Sequence, residues 1–170
     1  PGTTLKSAGG GHTLKLLGDT RSILTELYYQ EDWYPTLVGI SSRTDPPEWA
    51  HELLEKFSIY DEQGKPTLPH IAMKEVFTPQ LCLLDKAMDK ASQFEILLKR
   101  AHGILPTAKN SQQLQFKDAI FFDNEAGNCK QVARLGVTSV YTPKGVTREA
   151  WENGLTNFPS SRVLGPKLPY

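Results

Sequence analysis

Asp123 closes a short apolar run, Ala119 to Phe122, and opens a polar cluster of Asn124, Glu125, Gly127 and Asn128. A run of that length and composition reads as a strand. The pattern after it, with Val132, Ala133 and Leu135 apolar and Gly136 as stop, reads as a helix. Parallel α/β sheets bind ligands at the carboxyl ends of their strands, and carboxylate and amide oxygens gathered there suit Mg²⁺. The same residues also make an ordinary strand-to-helix turn with Asn128 as its cap. A second strand, Leu37 to Ile40, runs straight into Ser41, Ser42, Arg43, Thr44 and Asp45. A hydroxyl and nearby backbone N–H groups before a helix can hold a phosphate, although a turn or capping serine looks the same. Lysine supplies a point charge suited to phosphate. Lys90 is one candidate, with Lys86, Lys99 and Arg100 as competitors. Each of these reads first as a solvated surface cation, because such side chains are seldom buried.

Other chemistry finds little support. His12, His51, His70 and His102 show no metal-ligand spacing, which argues against zinc. Cys82 lies in an apolar run and reads as core filler. Cys129, at a helix start, has the position of a thiol with a lowered pKa, but a structural role is the simpler reading. There is no Gly-x-Gly-x-x-Gly, no Walker loop and no nucleophile elbow.

The chain of 170 residues is long enough to bury a real core in one domain. Its 19 basic and 19 acidic residues cancel, so no excess charge suggests nucleic acid or a membrane surface as partner. Two cysteines make no disulfide framework and fit a reducing, cytoplasmic compartment. No apolar run approaches the length of a membrane span, and no signal-peptide pattern is present.

The elements that must position these residues follow from periodicity. Residues 1–13 contain Gly9-Gly10-Gly11 and read as a flexible segment. Asp19 or Thr20 can cap a helix running to about Tyr29, and 30–35 reads as a loop. Pro47 starts a helix to about Phe57, with Trp49, Leu53, Leu54 and Phe57 at helical spacing. Residues 61–69 read as a surface loop, and 71–77 as a strand limited by Pro79. A long helix is expected over 83–102, stopped by Gly103, with a polar loop over 106–115. A further strand over 138–141, a Pro143-Lys144-Gly145 turn and a helix capped by Thr147 complete a core spanning 14–158. The tail, 159–170, reads as loosely packed. Alternating strands and helices indicate α/β with a parallel sheet.

Three stretches together resemble the magnesium-dependent phosphatase family of the haloacid dehalogenase (HAD-like) superfamily. Val38-Gly39-Ile40-Ser41-Ser42-Arg43-Thr44-Asp45 is similar to its second motif, a strand ending in Ser-Arg-Thr or Ser-Arg-Ser. Lys90-Ala91-Ser92-Gln93-Phe94-Glu95-Ile96-Leu97 resembles its third, usually Lys-x-x-His-Phe-Glu-x-Leu. Ile120-Phe121-Phe122-Asp123-Asn124-Glu125, with Asn128, resembles its fourth, Phe-Phe-Asp-Asp-Glu-x-x-Asn. Leu135-Gly136-Val137-Thr138 and Gly145-Val146 continue the match, which covers about 14–158. The resemblance implies a Rossmannoid three-layer sandwich, with Ser42 and Asp123 at one carboxyl edge of a parallel sheet. It implies that Ser42, with backbone help from Arg43, binds the transferred phosphoryl group, and that Lys90 offsets charge there. Asp123 would ligate Mg²⁺, with Asn124 or Asn128 completing or orienting the metal shell. The substrate would be a phosphorylated small molecule or a phosphoprotein.

The sequence departs from this pattern in four places. Asn124 replaces the usual second Asp, removing a negative charge near the metal, and Gln93 replaces the common His. An insertion between Glu75 and Lys90 leaves Lys86 as an alternative phosphate lysine. The first motif, Asp-x-Asp-x-Thr, is missing, and no Asp-x-Asp occurs anywhere in the chain. Its first Asp is the family's nucleophile and its second the general acid/base. That motif precedes the matched region, so its place is upstream of Pro1, and the non-Met start fits a chain that has lost it. The parent protein then reads as a Mg²⁺-dependent phosphomonoester hydrolase working through an aspartyl phosphate, this chain alone being inactive. The competing reading is a non-catalytic phosphate-binding or regulatory domain. With its central strand absent, the chain is expected to be marginally stable and to be stabilised by a peptide carrying that strand. With the upstream motif restored, Asp123→Ala is expected to abolish activity with little loss of fold.

Overall fold

The computed structural model describes residues 4–6, 11–61, 63–65, 70–105 and 113–168. The chain divides into two compact units, Pro1–Lys86 and Ala87–Tyr170. Within them the described strands make three two-stranded ladders.

In the first unit, β1 (Thr4–Lys6) and β2 (Thr13–Lys15) pair antiparallel, with Leu5 opposite Leu14. β1 falls inside the segment read as flexible. Gly9 and Gly10 of the glycine run lie outside the described residues, and Gly11 lies within them. Helix α1 (Thr20–Tyr29) follows, with Asp19 at its N-cap but no side-chain capping bond. A 3₁₀ turn, Glu31–Trp33, occupies the expected loop. β3 (Ile40–Ser42) leads to α2 (Pro47–Lys56), whose Pro at the first position lacks only an N–H the helix does not use. Leu24, Leu54, Phe57, Ile59, Met73 and Val76 form this unit's buried core.

Two expectations fail here. Residues 71–77 form no strand beyond a single antiparallel bridge, Ser58 to Ala72, with Ile59 N–H bonded to Ile71 O and Met73 N–H to Phe57 O. They then tighten into a 3₁₀ turn, Met73–Val76, which buries Met73 and Val76 on one side. The long helix expected from residue 83 does not begin there. Cys82–Leu84 is β4, parallel to β3 with Ser42 opposite Leu84, so this apolar run is sheet, entered from a 3₁₀ turn over Pro79–Leu81. The approach of these strands is tight at Gly39, where a Cβ would meet the Leu81 carbonyl oxygen at 2.8 Å.

The second unit begins with α3 (Lys90–Ile104), capped by the Asp89 carboxylate, which accepts from the Ser92 N–H at 2.9 Å. The helix runs through Gly103 rather than stopping at it. β5 (Ile120–Asp123), α4 (Ala126–Ala133), β6 (Thr138–Tyr141) and α5 (Arg148–Thr156) follow. α4 gives way to Gly136, whose φ of 97° suits the reversal into β6. The Thr147 side chain caps α5 through the Ala150 N–H, as expected.

β5 and β6 pair parallel, Phe121 opposite Ser139 and Asp123 opposite Tyr141. Side chains alternate across a strand, and here the two faces take different helices. Phe121 meets Phe94 of α3 edge-on at 5.0 Å, over a core shared with Val132 and Val137. Phe122 meets Trp151 of α5 at 5.3 Å. Gly154 of α5 lies close to Ile120, Phe122 and Val140, so α5 packs directly on that face. The tail is better held than expected: Leu164 exchanges backbone bonds with Ser139 and Tyr141, continuing the ladder along β6. No described helix is long and apolar enough to cross a membrane.

Candidate active site

At the carboxyl end of β5 the Asp123 carboxylate is heavily engaged. Its Oδ1 accepts the Glu125 N–H at 2.7 Å, and the Asn128 Nδ2 reaches Oδ1 and Oδ2 at 3.2 and 3.1 Å. The Asp123 carbonyl accepts the Thr142 N–H at 2.8 Å, anchoring the strand end from the other side. Lys90, the first residue of α3, brings its Nζ to 3.8 Å from Asp123 Oδ2 and 5.7 Å from the Phe121 ring centroid. Lys90 is only 2 % exposed and the Asp123 side chain 10 %. A lysine so deeply withdrawn from water is unusual, and the solvated-surface reading of Lys90 does not survive.

The other residues of this cluster take distinct parts. Asn128 is buried and donates to Asp123, so it orients the carboxylate and is not the helix cap; that position belongs to Glu125. Asn124 is exposed beside it. Gln93, where the resembled pattern has His, is fully buried on α3. Cys129 is fully buried as well, and its thiol faces the carbonyls of Asp123 and Val140. Burial first, and the Asp123 charge second, push that thiol from its ordinary 9.0 to about 12. Cys129 is therefore a structural thiol, the reverse of an activated one.

In the first unit, Ser42 ends β3 half-buried, with its carbonyl accepting the Asp85 N–H at 3.0 Å. Arg43 is exposed. Lys86, the alternative phosphate lysine, pairs instead with Asp45 at 2.5 Å, both side chains more than half exposed. The two lysines thus occupy opposite kinds of environment: Lys86 is wet and paired next to the serine stretch, Lys90 dry and paired with Asp123. The Asp45–Lys86 pair had no signal in the sequence beyond its charges. Lys99 is exposed, and Arg100 is too.

A family model described as acid phosphatase matches residues 7–161. The chain belongs to the acid phosphatase family. That match spans most of the sequence, both serine and aspartate strand ends included. Phosphatase chemistry is therefore the family's, and the hydrolase class suggested by the strand ends is supported at that level. No curated protein matches the chain.

Mg²⁺ can be tested against the residues present. Among the described residues no three His, Cys, Asp or Glu side chains cluster as a metal cage. Mg²⁺ does not require one, since it keeps several waters and takes one or two carboxylates plus substrate phosphate. Asp123 Oδ2 accepts one hydrogen bond, from Asn128, with Lys90 standing beyond bonding distance. That leaves one lone pair for a cation. The residues fit a mostly hydrated Mg²⁺ at a single carboxylate.

Proposed function

We propose that this chain is the phosphate- and metal-handling part of a Mg²⁺-dependent phosphomonoester hydrolase of HAD-like type. The observation that carries the reading is the Lys90–Asp123 pair, buried at the carboxyl end of β5. A buried cation fixed beside a carboxylate is costly as a purely structural device. It is useful where a dianionic phosphate and a divalent cation have to be balanced.

In this reading the roles of Ser42 and the Arg43 backbone N–H in the first unit are to take phosphoryl oxygens, and the role of Lys90 in the second is to supply charge that suits a phosphate. Asp123 Oδ2 would hold the cation, with Asn128 and the Glu125 N–H keeping that carboxylate aimed. Asn124 is exposed next to Asp123, and its amide oxygen would accept a hydrogen bond from a metal-bound water. Mg²⁺, when bound, neutralises charge on the phosphoryl oxygens. With Asn124 in place of a second acid, the cation is held more weakly than by two carboxylates. The sequence holds no Asp-x-Asp, so the nucleophile and general acid/base of an aspartyl-phosphate route have to be supplied on a separate segment. The substrate is a phosphorylated small molecule or a phosphoprotein.

The experiment is hydrolysis of para-nitrophenyl phosphate by the chain joined to an upstream segment carrying Asp-x-Asp, with Mg²⁺ and with chelator. Expected is activity that needs Mg²⁺ and is lost in Lys90→Met and Ser42→Ala. Activity undiminished by chelator, or retained in both variants, overturns the assignment. If no joined form hydrolyses the ester but the chain alone binds phosphate through Ser42, the non-catalytic phosphate-binding domain is the correct reading.

A further inference from the structure

Arg21 lies in the first turn of α1 and is 6 % exposed, yet neither of its terminal nitrogens, Nη1 nor Nη2, has a hydrogen-bond partner. Among the described residues no carboxylate pairs with it. The nearest aromatic is the Tyr60 ring, with the guanidinium carbon 5.0 Å from its centroid. Tyr60 is held in that position from the same helix. The Thr25 hydroxyl donates to the Arg21 carbonyl at 2.8 Å and accepts the Tyr60 N–H at 3.0 Å. The adjacent acid is committed elsewhere, because Asp61 Oδ1 accepts the N–H groups of Gln63 and Lys65 to close its own turn.

A guanidinium cannot shed its charge by deprotonation. A buried charge is normally paired, and stacking on a ring leaves its in-plane donors unused. Two free terminal nitrogens make the end-on fork that receives both oxygens of one oxyanion. At this end of the helix a bond runs from Ile23 N–H to Asp19 O, after the N–H groups of Arg21 and Ser22. The Asp19 side chain does not cap that end.

We propose that Arg21 and Tyr60 form an anion site in the first unit, taking a carboxylate or phosphate group end-on at the guanidinium. It uses none of the residues of the proposed phosphatase chemistry and does not rest on that reading. Lysine in its place would keep the charge but lose the fork, so the site is specific for arginine.

The test is a titration of the folded chain with sodium phosphate and, separately, sodium acetate, at ionic strength fixed with chloride. The Arg21 guanidinium signal is followed by NMR, which distinguishes it from any phosphate bound near Ser42. A parallel series of thermal melts covers wild type, Arg21→Met and Arg21→Lys. Expected is a saturable shift of the Arg21 signal with one or both anions, the responding anion identifying the class of ligand. The anion-dependent rise in Tm should be smaller in Arg21→Met than in wild type, any remainder with phosphate being the part bound near Ser42. Arg21→Lys should fold and bind at least roughly tenfold more weakly, the loss of one charge-assisted bond. An Arg21 signal that neither anion moves, or a rise in Tm with the responding anion that is the same in wild type and Arg21→Met, overturns the proposal.

Discussion

Lys90 Nζ stands 3.8 Å from Asp123 Oδ2 with both side chains nearly sealed from water, so the two opposite charges face each other in a largely dry setting. Removing one partner of a buried pair leaves the other charged and poorly solvated, at a cost of about 3–5 kcal/mol. Asp123→Ala is therefore expected to destabilise the fold by about 3 kcal/mol, besides any effect on activity. That replaces the sequence-based expectation of little structural loss. Urea unfolding should show the loss, and Asp123→Ala/Lys90→Met should recover much of it. A loss under about 1 kcal/mol for Asp123→Ala would put the pair with ordinary surface bridges.

Lys86 supplies the contrast. Its bridge to Asp45 is more than half exposed on both sides, a setting in which ion pairs contribute about 0–1 kcal/mol and are screened by salt. Lys86→Ala should shift the urea midpoint little, and less still in high salt. A larger shift than that of Lys90→Ala would reverse the environments assigned to the two lysines.

Cys129 gives a pH dependence of definite sign. Its thiol loses its proton near 9.0 when unfolded and only near 12 when folded. The unfolded chain therefore binds fewer protons between those values, and stability falls as pH rises through that window. Below pH 9 the contribution is fully present. Cys129→Ala should flatten the alkaline decline in Tm, and in the native wild type Cys129 should resist thiol reagents at pH 8. Rapid labelling of Cys129 without unfolding would contradict its burial.

Gly39 is a position where one methyl group should matter. A Cβ there would stand 2.8 Å from the Leu81 carbonyl oxygen and 3.0 Å from the Leu81 Cβ, and backbone cannot swing aside as a side-chain tip can. Gly39→Ala should cost about 1–3 kcal/mol and displace β3 against β4, loosening Ser42. Amide exchange across Ile40–Ser42 would report it; unchanged protection would show that the ladder has room.

These outcomes separate what the chain spells locally from what it does not. β5, the turn at Asp123 and α4 were legible because an apolar run, a polar break and a stop glycine lie consecutively. The start of α3 was misread because Leu83, Ala87 and Met88 continue the helical spacing backwards; the cue was Asp89, a capping residue three before Ser92. The burial of Lys90 and of Arg21 had no local cue at all. Each depends on a partner far along the chain, Asp123 for one and Tyr60 for the other, and both residues look like surface cations in isolation.

The bridge that Leu164 makes along β6 also fills part of an edge that would otherwise be open to pairing. A strand edge with free N–H and C=O groups is a template for another copy of the same chain. The tail occupies that template with its own backbone through Ser139 and Tyr141. It turns away at Gly165, where a Cβ would stand 2.5 Å from the Tyr141 carbonyl oxygen. A larger residue at that corner would lift that bridge, and the first consequence would be felt between molecules rather than within one.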